Sequence, residues 1–135
     1  MPYSVSAGLV DKHKTNNPFD IASRKNIMVI YGDLGDTLGF FFSERRIRFI
    51  HINNGLEYTL QRFVCAHELG HAVLHPKINT PFMKKNTFYS VDRIEKEANT
   101  FAVCMLTHNI QPFESETKEQ YCLRNNIPVE MVSYL

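Results

Sequence analysis

Apolar positions fall into short blocks whose spacing changes along the chain. Ile27 to Tyr31, Leu38 to Phe42 and Ile47 to Ile52 are brief runs rich in β-branched and aromatic residues, the signature of strands. The first ends at Gly32 and reads as a buried strand. Ser43-Glu44-Arg45-Arg46, polar and of hairpin-loop length, separates the second from the third and predicts a small, largely antiparallel sheet. Asn53-Asn54-Gly55 breaks this pattern, and from Glu57 to about His75 apolar residues return at helical spacing until Pro76. Residues 3 to 16 predict a helix stopped by Asn17-Pro18, with a second short helix starting near Asp20.

Residues 76 to 91, with prolines at 76 and 81 and mixed polarity, read as a long ordered loop. Asp92 is placed to cap a helix running through Glu95, Ala98, Ala102 and Met105 to about Leu106. Glu116 to Asn125 and Pro128 to Leu135 predict two shorter helices. The order of elements points to an α+β fold in one domain, residues 1–135, with a core at about 27–107 and a helical tail at 116–135.

With 135 residues, 44% of them hydrophobic and ten of them phenylalanine, the chain fits that one domain and leaves no room for a second. Lys plus Arg number 15 against 14 Asp plus Glu, so bulk charge gives no reason to expect direct nucleic-acid or membrane binding. Met1 to Val10 lacks the basic head and apolar stretch of a secretory signal, and no later run is long enough to span a bilayer. The expectation is a cytoplasmic protein, with a monomer favoured. Cys65, Cys104 and Cys122 fit neither a disulfide framework nor a paired thiolate site and read as reduced thiols, two of them facing the core. Arg45, Arg46 and Arg48 read as a solvated turn, and Met83-Lys84-Lys85 as a solvated edge. Ile127-Pro128-Val129 between two short helices has the outline of a helix-turn-helix without the basic charge for DNA contact.

The chemistry lies in His67-Glu68-Leu69-Gly70-His71. Histidines four apart on a helix share a face and reach one ion; neutral imidazole suits zinc, and a catalytic zinc takes three protein ligands. Glu68, about 100° round the helix from His67, is placed to act as general base beside the nucleophilic water. Leu60, Phe63, Val64, His67, His71 and Leu74 share one face, which turns the histidines inward. Both rings must be neutral to bind, so metal loss is expected below about pH 6. Tyr58, Tyr89, His51 and His75 are the available donors for a transition-state oxyanion.

The segments Phe63 to His75 and Glu95 to Ala102 resemble the two signature helices of the ImmA/IrrE metallopeptidases, over about residues 27–107. That resemblance implies a minimal gluzincin-like fold with a glutamate on the second helix as third zinc ligand, here Glu95 or Glu97. Glu95 is the choice: its face carries Ala98, Asn99 and Ala102, small residues that let the helices approach, and Glu97 sits about 200° away. Glu97 then reads as a solvated acid in a helix's first turn. The spacing to Asn99 implies a residue that orients a ligand histidine.

The resemblance further implies a zinc endopeptidase with one Zn2+ per chain, cleaving a helix-turn-helix repressor of a phage or mobile element. The alternative is a zinc-stabilised antirepressor that acts by binding without proteolysis; structural zinc sites, however, close the fourth position with Cys or His and have no use for Glu68.

Overall fold

The β-branched and aromatic runs form strands β1 (Met28–Gly32), β2 (Thr37–Glu44) and β3 (Ile47–Asn53) in the computed structural model. The structure describes residues 1–77, 82–83 and 92–135, so most of the expected 76–91 loop, with Lys84, Lys85 and Tyr89, lies outside the described residues. A two-residue strand β4 (Phe82–Met83) completes a sheet of order β1-β3-β2-β4. β2 pairs antiparallel with β3 and with β4, whereas β1 runs parallel to β3, giving a mixed sheet in an α+β fold.

The β2–β3 turn is tighter than the sequence suggests. Ser43 and Glu44 pair with Arg48 and Ile47, which leaves Arg45-Arg46 alone as the turn, at φ 51° and 70°. Two successive left-handed residues match the twist of the flanking strands. Arg48 departs from the expected solvated cluster, because its guanidinium donates to the Lys25 carbonyl at the end of α2 (Pro18–Arg24). Asn17-Pro18, read as a stop signal, also starts α2: the Asn17 side chain accepts from Phe19 N–H at 3.0 Å and proline occupies the first helical turn.

The expectation of a buried first strand is corrected. Met28 is 57% and Tyr31 50% exposed, and Ile27, just ahead of the strand, carries most of the burial. Among the described residues β1 is an edge strand paired with β3 alone, and the helices cover one face of the sheet. On that covered face Phe41, Ile50 and Ile52 are buried. The opposite face carries an aromatic group in which the Phe40 ring centroid lies 5.1 Å from that of His51, and Phe42 lies 5.1 Å from Phe49.

Helix α3 (Tyr58–Leu74) packs between this sheet, α2 and α4 (Arg93–Thr107). Every residue from Phe63 to Ala72 is buried, so the single apolar face expected from the sequence becomes a helix enclosed all round in its middle turns. Glycines set its approach on both sides. A Cβ on Gly39 of β2 would lie 2.7 Å from Val64, and one on Gly70 would lie 3.0 to 3.2 Å from the Phe101 side chain of α4.

Helix α1 (Pro2–His13) packs on α4, where the buried Ser6 hydroxyl donates to the Phe101 carbonyl at 2.9 Å. The expected Glu116–Asn125 helix is α5 (Lys118–Arg124), begun later because Thr117 and Gln120 form a reciprocal capping box. The last segment, Val129–Tyr134, is a 3-10 helix rather than an α-helix. Cys65, Cys104 and Cys122 are free thiols, all three buried. No helix among the described residues is long and apolar enough to cross a membrane.

Asn53 ties the ends of three elements together. Its amide donates to the carbonyls of Gly35 (2.9 Å) and Thr37 (3.0 Å), and its oxygen accepts from Gly55 N–H at 2.9 Å. Asn53→Ala removes all three hydrogen bonds of a buried side chain and is expected to destabilise the fold by about 2–3 kcal/mol. Urea unfolding with an unchanged m value would report it; a shift of less than about 0.5 kcal/mol would contradict it.

Candidate metal centre

His67 and His71 stand one turn apart on α3, 0% and 2% exposed, and the crossing of α4 at Gly70 brings the first turn of that helix against them. Glu95 Oε1 lies 3.0 Å from His67 Nε2 and 3.1 Å from His71 Nε2. One ligand atom from each of the three residues falls within 4.8 Å of the others. Bonds of 2.0–2.1 Å in a tetrahedral site put neighbouring ligand atoms about 3.3 Å apart, so the two edges at Glu95 match that size.

The surrounding hydrogen bonds decide what these atoms offer. Asn99, one turn beyond Glu95, has its Oδ1 2.8 Å from His67 Nδ1, while its Nδ2 donates to the Tyr134 hydroxyl at 3.3 Å. An oxygen facing Nδ1 requires the proton there, which leaves the Nε2 lone pair directed at Glu95. A carboxylate also offers only lone pairs, and Glu95 Oε2 is buried without a hydrogen-bond partner. Lone pairs converging at this distance repel unless a cation or a proton lies between them, and two imidazole nitrogens with one carboxylate oxygen are the donor set of a catalytic zinc.

Glu97 lies on another face of α4 and is engaged by a different partner. Its Oε1 is 2.8 Å from His75 Nε2 and its Oε2 is 3.6 Å from Arg93 Nε, so the reading of a merely solvated acid is corrected. The His75 hydrogen bond in particular holds the Glu97 carboxyl below the usual range. The sequence signal was present in the four-residue step from His71 to His75, which repeats the step from His67 to His71.

Glu68 is fully buried, and neither carboxylate oxygen has a hydrogen-bond partner of standard geometry. Its Oε2 lies 3.9 Å from His67 Nε2. Burial first, and the Glu95 charge second, push its carboxyl well above the usual range, with the Phe41 backbone N–H working the other way. A raised carboxyl beside a cation site is suited to taking and returning a proton near neutral pH.

Burial lowers the His67 ring to about 4, against the opposing hydrogen bonds of Glu95 and Asn99. For Glu95, burial alone would raise the carboxyl, but the rings of His67 and His71 outweigh it and hold it low. Between pH 6.5 and about 4 the unfolded chain protonates His67 and the folded chain does not. His67 alone is therefore expected to cost on the order of 3 kcal/mol of stability as pH falls through that window, while Glu68, whose carboxyl is raised by burial, contributes with the opposite sign. Urea titrations of the metal-free Glu68→Gln protein at pH 7 and pH 4.5, where the opposing contribution is absent, check the His67 part; constant stability in that variant would contradict it.

The oxyanion candidates fare unequally. His51 lies on the outer face of the sheet with Phe40, and Tyr58 is 58% exposed and stacks on Phe19. His75 is held by Glu97. None of these three shares the point where His67, His71 and Glu95 meet, and Tyr89 lies outside the described residues.

Known proteins share this framework. The profile of the Peptidase M78 family, described as the IrrE N-terminal-like domain, matches residues 22–129. The chain is 43% identical over 128 residues to the uncharacterized immunity region protein 2 of Bacillus phage phi105, covering 91% of this chain and 81% of that protein. It is 31% identical over 134 residues to metallopeptidase ImmA of Bacillus subtilis strain 168, covering 93% and 78%. A match that takes in both motif helices, the sheet and most of the tail makes this chain a member of the ImmA/IrrE family, one of metallopeptidase type.

Proposed function

We propose that residues 1–135 act as one cytoplasmic, monomeric zinc endopeptidase domain. It binds one Zn2+ through His67, His71 and Glu95, uses Glu68 as general base, and cleaves a helix-turn-helix repressor to derepress a phage or mobile element. The observation that carries this reading is the convergence of Glu95 Oε1 on two imidazole Nε2 atoms beside a fully buried Glu68. Relatives named for a phage immunity region and as a metallopeptidase support the same direction.

Zinc supplies a Lewis acid that polarises a peptide carbonyl and makes water nucleophilic near neutral pH. The chain's own residues do the rest. Asn99 fixes the His67 ring with its lone pair inward. Glu68, its carboxyl raised by burial, takes a proton from the attacking water and passes it to the departing amine. Binding without proteolysis would have no need of a fully buried carboxyl beside the ligand point, a state that costs stability.

The test is incubation of the zinc-loaded protein with a candidate helix-turn-helix repressor, followed by mass spectrometry of the products. A single internal cut, abolished by a chelator and restored by zinc, is the expected result. Short generic peptides should be poor substrates. Release of the repressor's target promoter with the repressor still intact would replace this reading with the binding-only antirepressor.

A further inference from the structure

The step from His71 to His75 places another ring at the end of α3, where His75 is the capping residue and its backbone N–H donates to the His71 carbonyl at 2.7 Å. The rings of the two residues lie 5.4 Å apart, with His75 Nδ1 3.2 Å from His71 Nδ1. On its other side His75 Nε2 is 2.8 Å from Glu97 Oε1. A carboxylate only accepts, so His75 Nε2 carries the proton. A neutral ring then has a bare Nδ1, which can only accept from His71 Nδ1–H. The sequence of donors leaves the His71 Nε2 lone pair facing Glu95.

We propose that Glu97 and His75 are positioning residues: a hydrogen-bonded string from α4 back to α3 that fixes the tautomer and ring orientation of His71. The inference rests on the reading of His71 as a metal ligand. Asn99 serves His67 from one turn of α4, and Glu97 serves His71 through His75 from another, so each ring has its own support. The string also explains why two glutamates stand so close together at the start of α4 with only one at the ligand point.

Outer hydrogen-bond partners of ligand histidines are worth about 10–100-fold in metal affinity. His75→Phe and Glu97→Ala are each expected to weaken zinc binding by that factor in chelator competition, and to shift the visible spectrum of the cobalt-substituted protein. Glu97→Gln, which still accepts from His75, should lose less than about tenfold. The unmutated protein gives a reading that needs no variant: long-range proton–nitrogen NMR of the zinc form should show His71 protonated at Nδ1 and His75 at Nε2. Parental zinc affinity and cobalt spectrum in both His75→Phe and Glu97→Ala, or the opposite tautomers by NMR, would overturn the string and leave the metal site standing. A parent protein that binds no zinc would overturn both together.

Discussion

Glu68→Gln is expected to keep zinc at the parental level while cleavage of the repressor falls by about 10²–10⁴-fold, the range a positioned general base contributes. Both Glu68 oxygens are enclosed and lack a hydrogen-bond partner of standard geometry, so the side chain contributes little to holding the fold together. An amide of the same shape removes the proton acceptor and leaves the packing in place. Thermal unfolding of the metal-free variant should match the parent or exceed it, because a buried ionisable group has been removed. Zinc content by atomic absorption, cleavage by mass spectrometry and unfolding by circular dichroism decide the matter. More than a tenth of parental activity at full zinc occupancy would remove Glu68 from the chemistry.

For Glu95→Gln the expected loss is of zinc itself, by at least about 100-fold in affinity, since outer partners alone account for 10–100-fold. Glu95 is the one carboxylate within hydrogen-bond range of both ring nitrogens, and it holds the single negative charge of the ligand set. Cleavage should fall with it at limiting zinc. Glu97→Gln, two residues away, provides the contrast, because Glu97 meets His75 rather than the ligand point. Full zinc occupancy in Glu95→Gln together with loss in Glu97→Gln would exchange their assignments.

Local signals in the sequence were strong where one element satisfied itself. The histidine pair, the helix start at Asp92 and the β2–β3 hairpin are all set by periodicities and turn residues within a few positions, although the Asp92 side chain makes no capping hydrogen bond. Features that depend on a neighbour were not legible. The apolar run before Gly32 reads as a buried strand because its spacing carries no mark of an edge position, although Met28 and Tyr31 are half exposed. Arg48 reads as part of a charged turn because its acceptor, the Lys25 carbonyl, is remote in sequence. Choosing between Glu95 and Glu97 needed the helix face as well as the motif, and the engagement of Glu97 by His75 required the crossing of α3 and α4 in three dimensions.

That crossing also changes how the five-residue motif should be written. A pattern with two free central places treats Leu69 and Gly70 as spacers. Leu69 is fully buried in the core, and Gly70 is where the Phe101 ring rests against the helix backbone. A library that randomises both places while keeping His67, Glu68 and His71 would therefore return few working members, with the smallest side chains dominating at 70. In this chain the spelling of the motif is five letters long, and the third and fourth keep the partner helix within reach of the other three.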